Sequence, residues 1–156
     1  MLKINLVCVG DIKEQYLKDA ISEYSKRLKK FISLNIIEIK ENVANTNNGK
    51  DILYALNKDA NEIRKHLKGH IVCLDIDAKQ MDSVEFSKYI SSLTLKTSEI
   101  TFVIGASNGL DERIKVLAND KISFSKMTFP HQLMRVIFLE QLYRAFTIIN
   151  NVAYHK

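Results

Sequence analysis

The chain has little of three residues that punctuate or cross-link a fold: one proline, five glycines and two cysteines in 156 residues. With no Gly-rich turn after the first β-like run, the sequence lacks both the dinucleotide fingerprint and a phosphate-binding P-loop, which argues against ordinary Rossmann cofactor binding. Each cysteine sits in a short apolar run, "INLVCVG" for Cys8 and "HIVCLDI" for Cys73, with no second Cys or His at metal-ligand spacing. Reduced core thiols are therefore expected, and no metal site. No apolar run approaches the roughly 20 residues that cross a bilayer. The opening "MLKINLVCVG" also lacks the ordered charged, apolar and small-residue zones of a secretory signal. The expectation is a soluble cytoplasmic protein with no membrane partner. Nor does any Ser/His/Asp set appear at a motif spacing, so little is offered to covalent catalysis.

What is present is an apolar fraction of 46%, enough for a core of ordinary size in a single domain over residues 1–156. The net charge is +5, and the excess lies in the first half, above all in "KRLKK" at Lys26–Lys30. Such a face favours a polyanion partner such as RNA, although a lysine run is also the ordinary dress of a solvated helix.

Short β-branched runs alternate with longer helical patterns, which predicts an α/β fold on a largely parallel sheet. Strands are expected at Lys3–Val9, Leu34–Lys40, His70–Ile76, Ile100–Ile104 and Lys121–Phe124. Between the first two, Leu17, Ile21, Tyr24 and Leu28 form one helical stripe. "ENVANTNNGK" reads as an exposed loop before a helix from about Asp51 to Leu67, and "DSVE" at Asp82–Glu85 as a capping box opening a helix to about Lys96. A short helix is expected from Asp111 to Ala118.

The final helix should run from Pro130 to about Asn150, with the proline in its first turn. At about 100° per residue, Leu139, Leu142 and Phe146 fall on one side and Leu133, Ile137 and Ile148 on the other. A helix apolar nearly all round needs cover on both faces, so a symmetric homodimer is expected at this helix. His131 and Arg135 share a face, and so do Glu140 and Arg144, which fit either a local ion pair or an arginine placed to meet phosphate.

Ligands of open parallel sheets bind beyond the carboxyl ends of the strands. Three loops qualify in the second half: "LDIDAKQ", "IGASNGL" and "FSKMTFP". The spacing of Asp75 and Asp77 fits either a solvated strand end or a magnesium site in a flavodoxin-like regulator.

"FVIGASNGL", "KISFSKMTFPHQLMRV", "EQLYRAF" and the terminal "AYHK", in this order and together with "VCVGDIKEQYLKDAISEYSKRL" and "IVCLDI", closely resemble the RlmH family, the small SPOUT methyltransferases of bacteria. The likeness spans the whole chain. It implies a SPOUT-type open, mostly parallel sheet with helices on both faces and a C-terminal trefoil knot. It also implies an obligate homodimer using S-adenosyl-L-methionine to methylate N3 of a pseudouridine in the helix 69 loop of 23S rRNA within the ribosome. Carried over by motif, the cofactor-binding positions are Leu74, Gly105, Phe124, Ser125, Lys126, Met127, Thr128 and Phe129. Two positions depart from the family's glycines: Ala106 stands for the second glycine of "IGG" and Ala78 for that of "GK".

The acceptor imide must lose a proton, and His131 and His155, with Glu140 behind them, are the side chains suited to take it, unless solvent does. Arg135, Arg144, Tyr154, His155 and Lys156 are the expected RNA contacts, since arginine binds phosphate and an aromatic ring can stack on an unpaired base. A noncatalytic RNA- or ribosome-binding protein on the same fold is the alternative.

Overall fold

In the computed structural model, which describes residues 1–156, strands and helices alternate: β1 (Lys3–Val9), α1 (Gln15–Leu28), β2 (Ser33–Ile39), α2 (Gly49–Arg64), β3 (His70–Gln80), α3 (Ser83–Thr94), β4 (Glu99–Ile104), α4 (Glu112–Leu117), β5 (Asp120–Ser123) and α5 (His131–Ile149). All pairings are parallel, in the order β2-β1-β4-β3-β5. The central β1 and β4 are buried almost throughout, as parallel strands covered on both faces must be.

Alternation along β1 divides the core. Ile4, Leu6 and Cys8 join Leu28 of α1, Phe86 and Ile90 of α3, and Phe138, Leu139 and Leu142 of α5 on one face. Val7 and Val9 join Ala60 and Ile63 of α2 and Ile114 of α4 on the other. Burial pushes the Cys8 thiol up to about 12 and the Cys73 thiol up to about 11, so both stay protonated core groups. No helix is long and apolar enough to cross a membrane.

Two expectations from sequence need revision. The third strand does not stop at Ile76. It continues to Gln80 because β5 pairs with it twice, Leu74 opposite Ile122 and then Lys79 opposite the same Ile122, with an irregularity between. The polar "DIDAKQ" thus remains in the sheet as a bulged strand end. Pro130 is the residue before the last helix rather than its first helical residue; its backbone is extended at ψ 136°, and its carbonyl accepts the Met134 N–H at 2.9 Å.

The largest correction concerns Arg135, expected at an RNA surface. It is 1% exposed, turned into the protein at the carboxyl ends of β1 and β2. One terminal nitrogen donates to Glu38 Oε2 at 2.9 Å and the other to the Gly10 carbonyl at 3.0 Å. The same Glu38 oxygen accepts the Ile12 N–H at 3.2 Å, so one ion pair ties α5 to β2 and to the loop after β1. Gly10 is at φ 99°, and a Cβ there would come within 2.8 Å of His131 Cε1, so only glycine lets the imidazole lie against this turn. Arg135 is removed from the RNA contacts. Replacing it by alanine strands a carboxylate and a buried carbonyl, and should lower unfolding free energy by about 3 kcal/mol, read as the denaturant midpoint. Lysine, lacking the fork, should recover only part of the loss.

Candidate functional site

The turn from β3 into α3, the loop after β5 and the middle of α5 face one another at one edge of the sheet, while the loop after β4 with Gly105 lies outside this space. A cavity of about 430 Å³ opens there, walled by Asp82, Ser83 and Phe86 at the start of α3, by Ser123–Ser125 and Phe129 after β5, and by Ile137 and Gln141 on α5. Its size suits a cofactor or nucleoside.

Of the expected cofactor positions, Phe124, Ser125 and Phe129 line this cavity. Leu74 lies one strand over, in register with the lining Ile122. Lys126, Met127 and Thr128 form the exposed crest of the loop. The loop is braced from within: Ser123 Oγ donates to the Ser125 carbonyl at 3.0 Å, and Ser125 Oγ accepts the Met127 N–H at 2.9 Å. Neither the Lys126 nor the Thr128 N–H is used by the chain itself, which leaves donors for a ligand with polar appendages. Phe124 is wedged edge-on against Phe86 at 5.4 Å and lies 5.9 Å from Phe138.

Gly105 follows β4 in a tight turn. A Cβ would fall 2.5 Å from the Gly109 carbonyl oxygen, so no other residue fits without opening the turn. Ala106, where the family has glycine, is partly buried against the apolar cluster under α4, so its methyl group has a place to go. Asp75 pairs with Lys115 at 3.3 Å and accepts the Asp77 N–H at 3.1 Å.

The expected catalytic and RNA-contacting residues divide into two places. Glu140, Arg144, Tyr154 and His155 come together at the far end of α5. Arg144 is paired with Glu140 at 2.7 Å, and its guanidinium lies 4.8 Å over the Tyr154 ring. The Tyr154 hydroxyl donates to Glu140 at 3.1 Å, and Arg144 contacts His155 Nδ1 at 3.2 Å. Burial and the nearby Glu140 charge raise the Tyr154 phenol, and the hydrogen bond to Glu140 raises the Arg144 guanidinium. Lys156 is exposed beside them. His131 stands apart, nine residues back along the helix, or about 13 Å at 1.5 Å per residue. Its Nδ1 is buried without a partner.

A guanidinium only donates, so its contact with His155 is a hydrogen bond in the tautomer whose Nδ1 accepts. Both Glu140 oxygens are occupied as well, because Gln141 donates to Oε2 at 3.0 Å. Sequence reasoning missed Gln141. Its own oxygen accepts from Ser83 Oγ at 2.7 Å, completing a chain from the first turn of α3 along the cavity wall to the tail. The only trace in the sequence was the "DSVE" capping box, which the structure forms with both of its bonds and which fixes Ser83 at the start of α3.

Against this geometry the comparisons are direct. The family model described as "Predicted SPOUT methyltransferase" matches residues 2–155. The chain belongs to the SPOUT methyltransferase family. It is 48% identical to the ribosomal RNA large subunit methyltransferase H of Caldicellulosiruptor saccharolyticus, over 98% of this chain and 99% of that protein. It is 44% identical to the protein of the same name from Fusobacterium nucleatum, over 99% of this chain and 100% of that one. Among solved structures, a methylase family protein from Haemophilus influenzae Rd KW20 superposes with a TM-score of 0.58 at 12% identity, over 98% of this chain and 70% of that chain. A Legionella pneumophila protein solved in complex with the cofactor SAM gives 0.52 at 12% identity, over 93% of this chain and 66% of that one. At such identities these two speak for the fold alone, and they agree with the five-stranded parallel sheet.

If Glu140 holds the tail in place, Glu140→Ala should expose residues 154–156 to digestion. Carboxypeptidase release of Lys156 and His155 should quicken about tenfold, the equivalent of losing one charged hydrogen bond. An unchanged rate would mean the tail is held by the Tyr154 ring alone.

Proposed function

We propose that this protein transfers the methyl group of S-adenosyl-L-methionine to N3 of a pseudouridine in the helix 69 loop of 23S rRNA, acting on the assembled ribosome in the cytoplasm. The observation that carries the reading is the hydrogen-bonded continuity from the cavity wall through Gln141 to Glu140, Arg144 and His155, in a chain matching ribosomal RNA methyltransferases along nearly its whole length. It joins a cofactor-sized space to a cationic, aromatic tail.

The cofactor, when bound, supplies an activated methyl group with its own leaving group. The protein's task is then alignment and exclusion of water. Gly105 and the Phe124–Phe129 segment, with Leu74 behind, hold the cofactor through backbone groups and apolar contact. Arg144 and Lys156 meet RNA phosphate, and Tyr154 offers a ring face to an unpaired base. His155, with Nδ1 occupied by Arg144, presents an Nε2–H donor that can hold a carbonyl of the target base. Glu140, engaged on both oxygens, positions Arg144 and Tyr154. His131, walled in beside Gly10, sets the loop after β1. The imide proton then leaves to solvent, and none of the three is the base.

The proposal includes a trefoil knot in the C-terminal part. It is supported by the path of the chain, which leaves β5 at one edge of the sheet and returns as α5 between α3 and α1. It also includes a homodimer. α5 buries Leu139, Leu142 and Phe146 within the chain, while Leu133 is 39% exposed and Ile137 and Ile148 are only partly covered. Sedimentation at micromolar concentration should give twice the chain mass, and a monomer would end the dimer reading.

The decisive assay is methyl transfer from labelled cofactor to purified ribosomes that lack the modification, with mapping of the product. One methyl at N3 of the target nucleotide is expected, and free 23S rRNA should be a poor acceptor. Equal methylation of the two would mean that ribosome shape is not recognised. Heat of cofactor binding without transfer to either would leave a binder in place of an enzyme.

A further inference from the structure

The basic run "KRLKK" lies next to the tail, joined to it through Tyr143. Arg27, in the last turn of α1, lies 5.3 Å over the Tyr24 ring and 5.6 Å over that of Tyr143 on α5. Tyr143 in turn meets Tyr154 edge-on at 4.9 Å, and Arg144 covers the other end of that ladder. On the opposite flank Lys30 sits 5.0 Å over Phe31, which lies 6.3 Å from Tyr143 and stacks on Phe146 at 5.9 Å. Cations and aromatic rings thus form one strip from the end of α1 to the end of the chain.

The acids near this strip are already neutralised. Glu23 is paired with Arg27 at 3.0 Å and Glu140 with Arg144 at 2.7 Å. Lys26, Lys29, Lys30 and Lys156 are exposed, and none of them forms a salt bridge in the chain. Complementing the dipole of α1 accounts for Lys26 and Arg27 in its last turn. It does not account for Lys29 and Lys30 beyond the helix end, nor for Lys156 and Arg144 reached across Tyr143. α2 also carries exposed unpaired lysines, Lys50 and Lys58, the latter 4.6 Å over Tyr54, but no ladder of rings joins them to the tail.

We propose that the α1 end, Lys26–Lys30, is a second RNA-binding surface, continuous with the tail through the Arg27, Tyr143 and Tyr154 ladder and directed at the phosphate backbone flanking the target nucleotide. The proposal rests on the reading of the substrate given above. It has a reason in charge density: three or four unpaired lysines on a fixed scaffold release counterions from RNA without reading its bases. Such a surface holds a folded RNA in register while the tail handles the unpaired base.

The test is a triple variant, Lys26→Gln with Lys29→Gln and Lys30→Gln, compared with a control losing the same charge elsewhere, Lys50→Gln with Lys58→Gln and Lys68→Gln. Ribosome binding and binding of a short RNA hairpin are measured between 50 and 200 mM salt, and cofactor binding by calorimetry reports that the fold is intact. For the first variant the slope of log affinity against log salt should become shallower by about two to three, with affinity down about tenfold at the lower salt. The control should match the wild type, and cofactor affinity should be unchanged in both. An unchanged slope in the first variant, or an equal change in the control, overturns the surface. So does a first variant that loses binding to anionic lipid vesicles and keeps its RNA binding. If the wild type methylates ribosomes while the first variant binds like it, the surface fails and the activity stands. If the wild type methylates nothing yet binds RNA through these lysines, the activity fails and the surface stands.

Discussion

Phe138 meets Phe102 with ring centroids 4.8 Å apart, and this contact seats α5 on the middle of the sheet. Phe102 belongs to β4, flanked by β1 and β3 and buried on both faces, so it has no room to shift without opening the core. A rigid helix fixed at its middle is fixed at both ends. Toward its start, Arg135 reaches the Gly10 carbonyl and Glu38; in its centre, Ile137 and Gln141 form a wall of the cavity; and from Glu140 in the centre to Arg144 one turn on, it carries the tail. The 19 residues of α5 span about 28 Å at 1.5 Å per residue, so one element ties the loop after β1 to the last residues of the chain.

The two arginines of α5 show how burial sorts one residue type into two tasks. Arg135 is sealed under the loop after β1, where its planar fork satisfies a carbonyl and a carboxylate at once, and its value lies in packing and in satisfying backbone groups. Arg144 keeps a quarter of its side chain exposed, and its partner Glu140 is still less exposed. That pair is shielded enough to hold one geometry and open enough to meet a ligand. The consequence reaches His155. A permanent donor set against Nδ1 favours the tautomer that accepts there, so the imidazole is oriented by a neighbour eleven residues back in the chain.

The legible parts of the fold were those written in short-range pattern. The strand at Lys3–Val9 coincides with β1, because a continuous run of buried β-branched and aliphatic residues has no other reading in a parallel sheet. Asp82 and Glu85 form both bonds of their capping box, since that signal is complete within four residues. What failed needed partners far along the chain. Arg135 is an expected RNA contact because arginine binds phosphate, and nothing local shows its true acceptor Glu38, 97 residues away. "DIDAKQ" was read as a loop because it is polar, while the backbone of β5, some forty residues on, keeps it in the sheet. At the site, Glu140 and Arg144 are visible at helical spacing, but Ser83 and Gln141 are 58 residues apart, and nothing in "DSVE" or "EQLYRAF" pairs one with the other. The roles expected of Tyr154 and His155 rest on side-chain chemistry, an aromatic ring and an imidazole; spacing says nothing of them.

Methyl transfer asks for alignment to within a fraction of an ångström, and loops are poor at supplying it. Here the loop Phe124–Phe129 is restrained at both ends. At one, Phe124 is packed between Phe86 and Phe138, the second of these on α5 itself. At the other, Pro130 fixes its own φ and hands its carbonyl to Met134, so the loop ends where the helix hydrogen bonds begin. Glu140 and Arg144 belong to the same helix, and they hold Tyr154 and His155 of the tail against it. The loop Phe124–Phe129 and the cluster around Arg144 are therefore both referenced to α5, and Ser83 of α3 braces the space between them through Gln141 of α5. With Phe124 packed on Phe138 and Arg144 paired with Glu140, the separation of loop and tail is set by the length of one helix, which is stiffer than any loop that could join them.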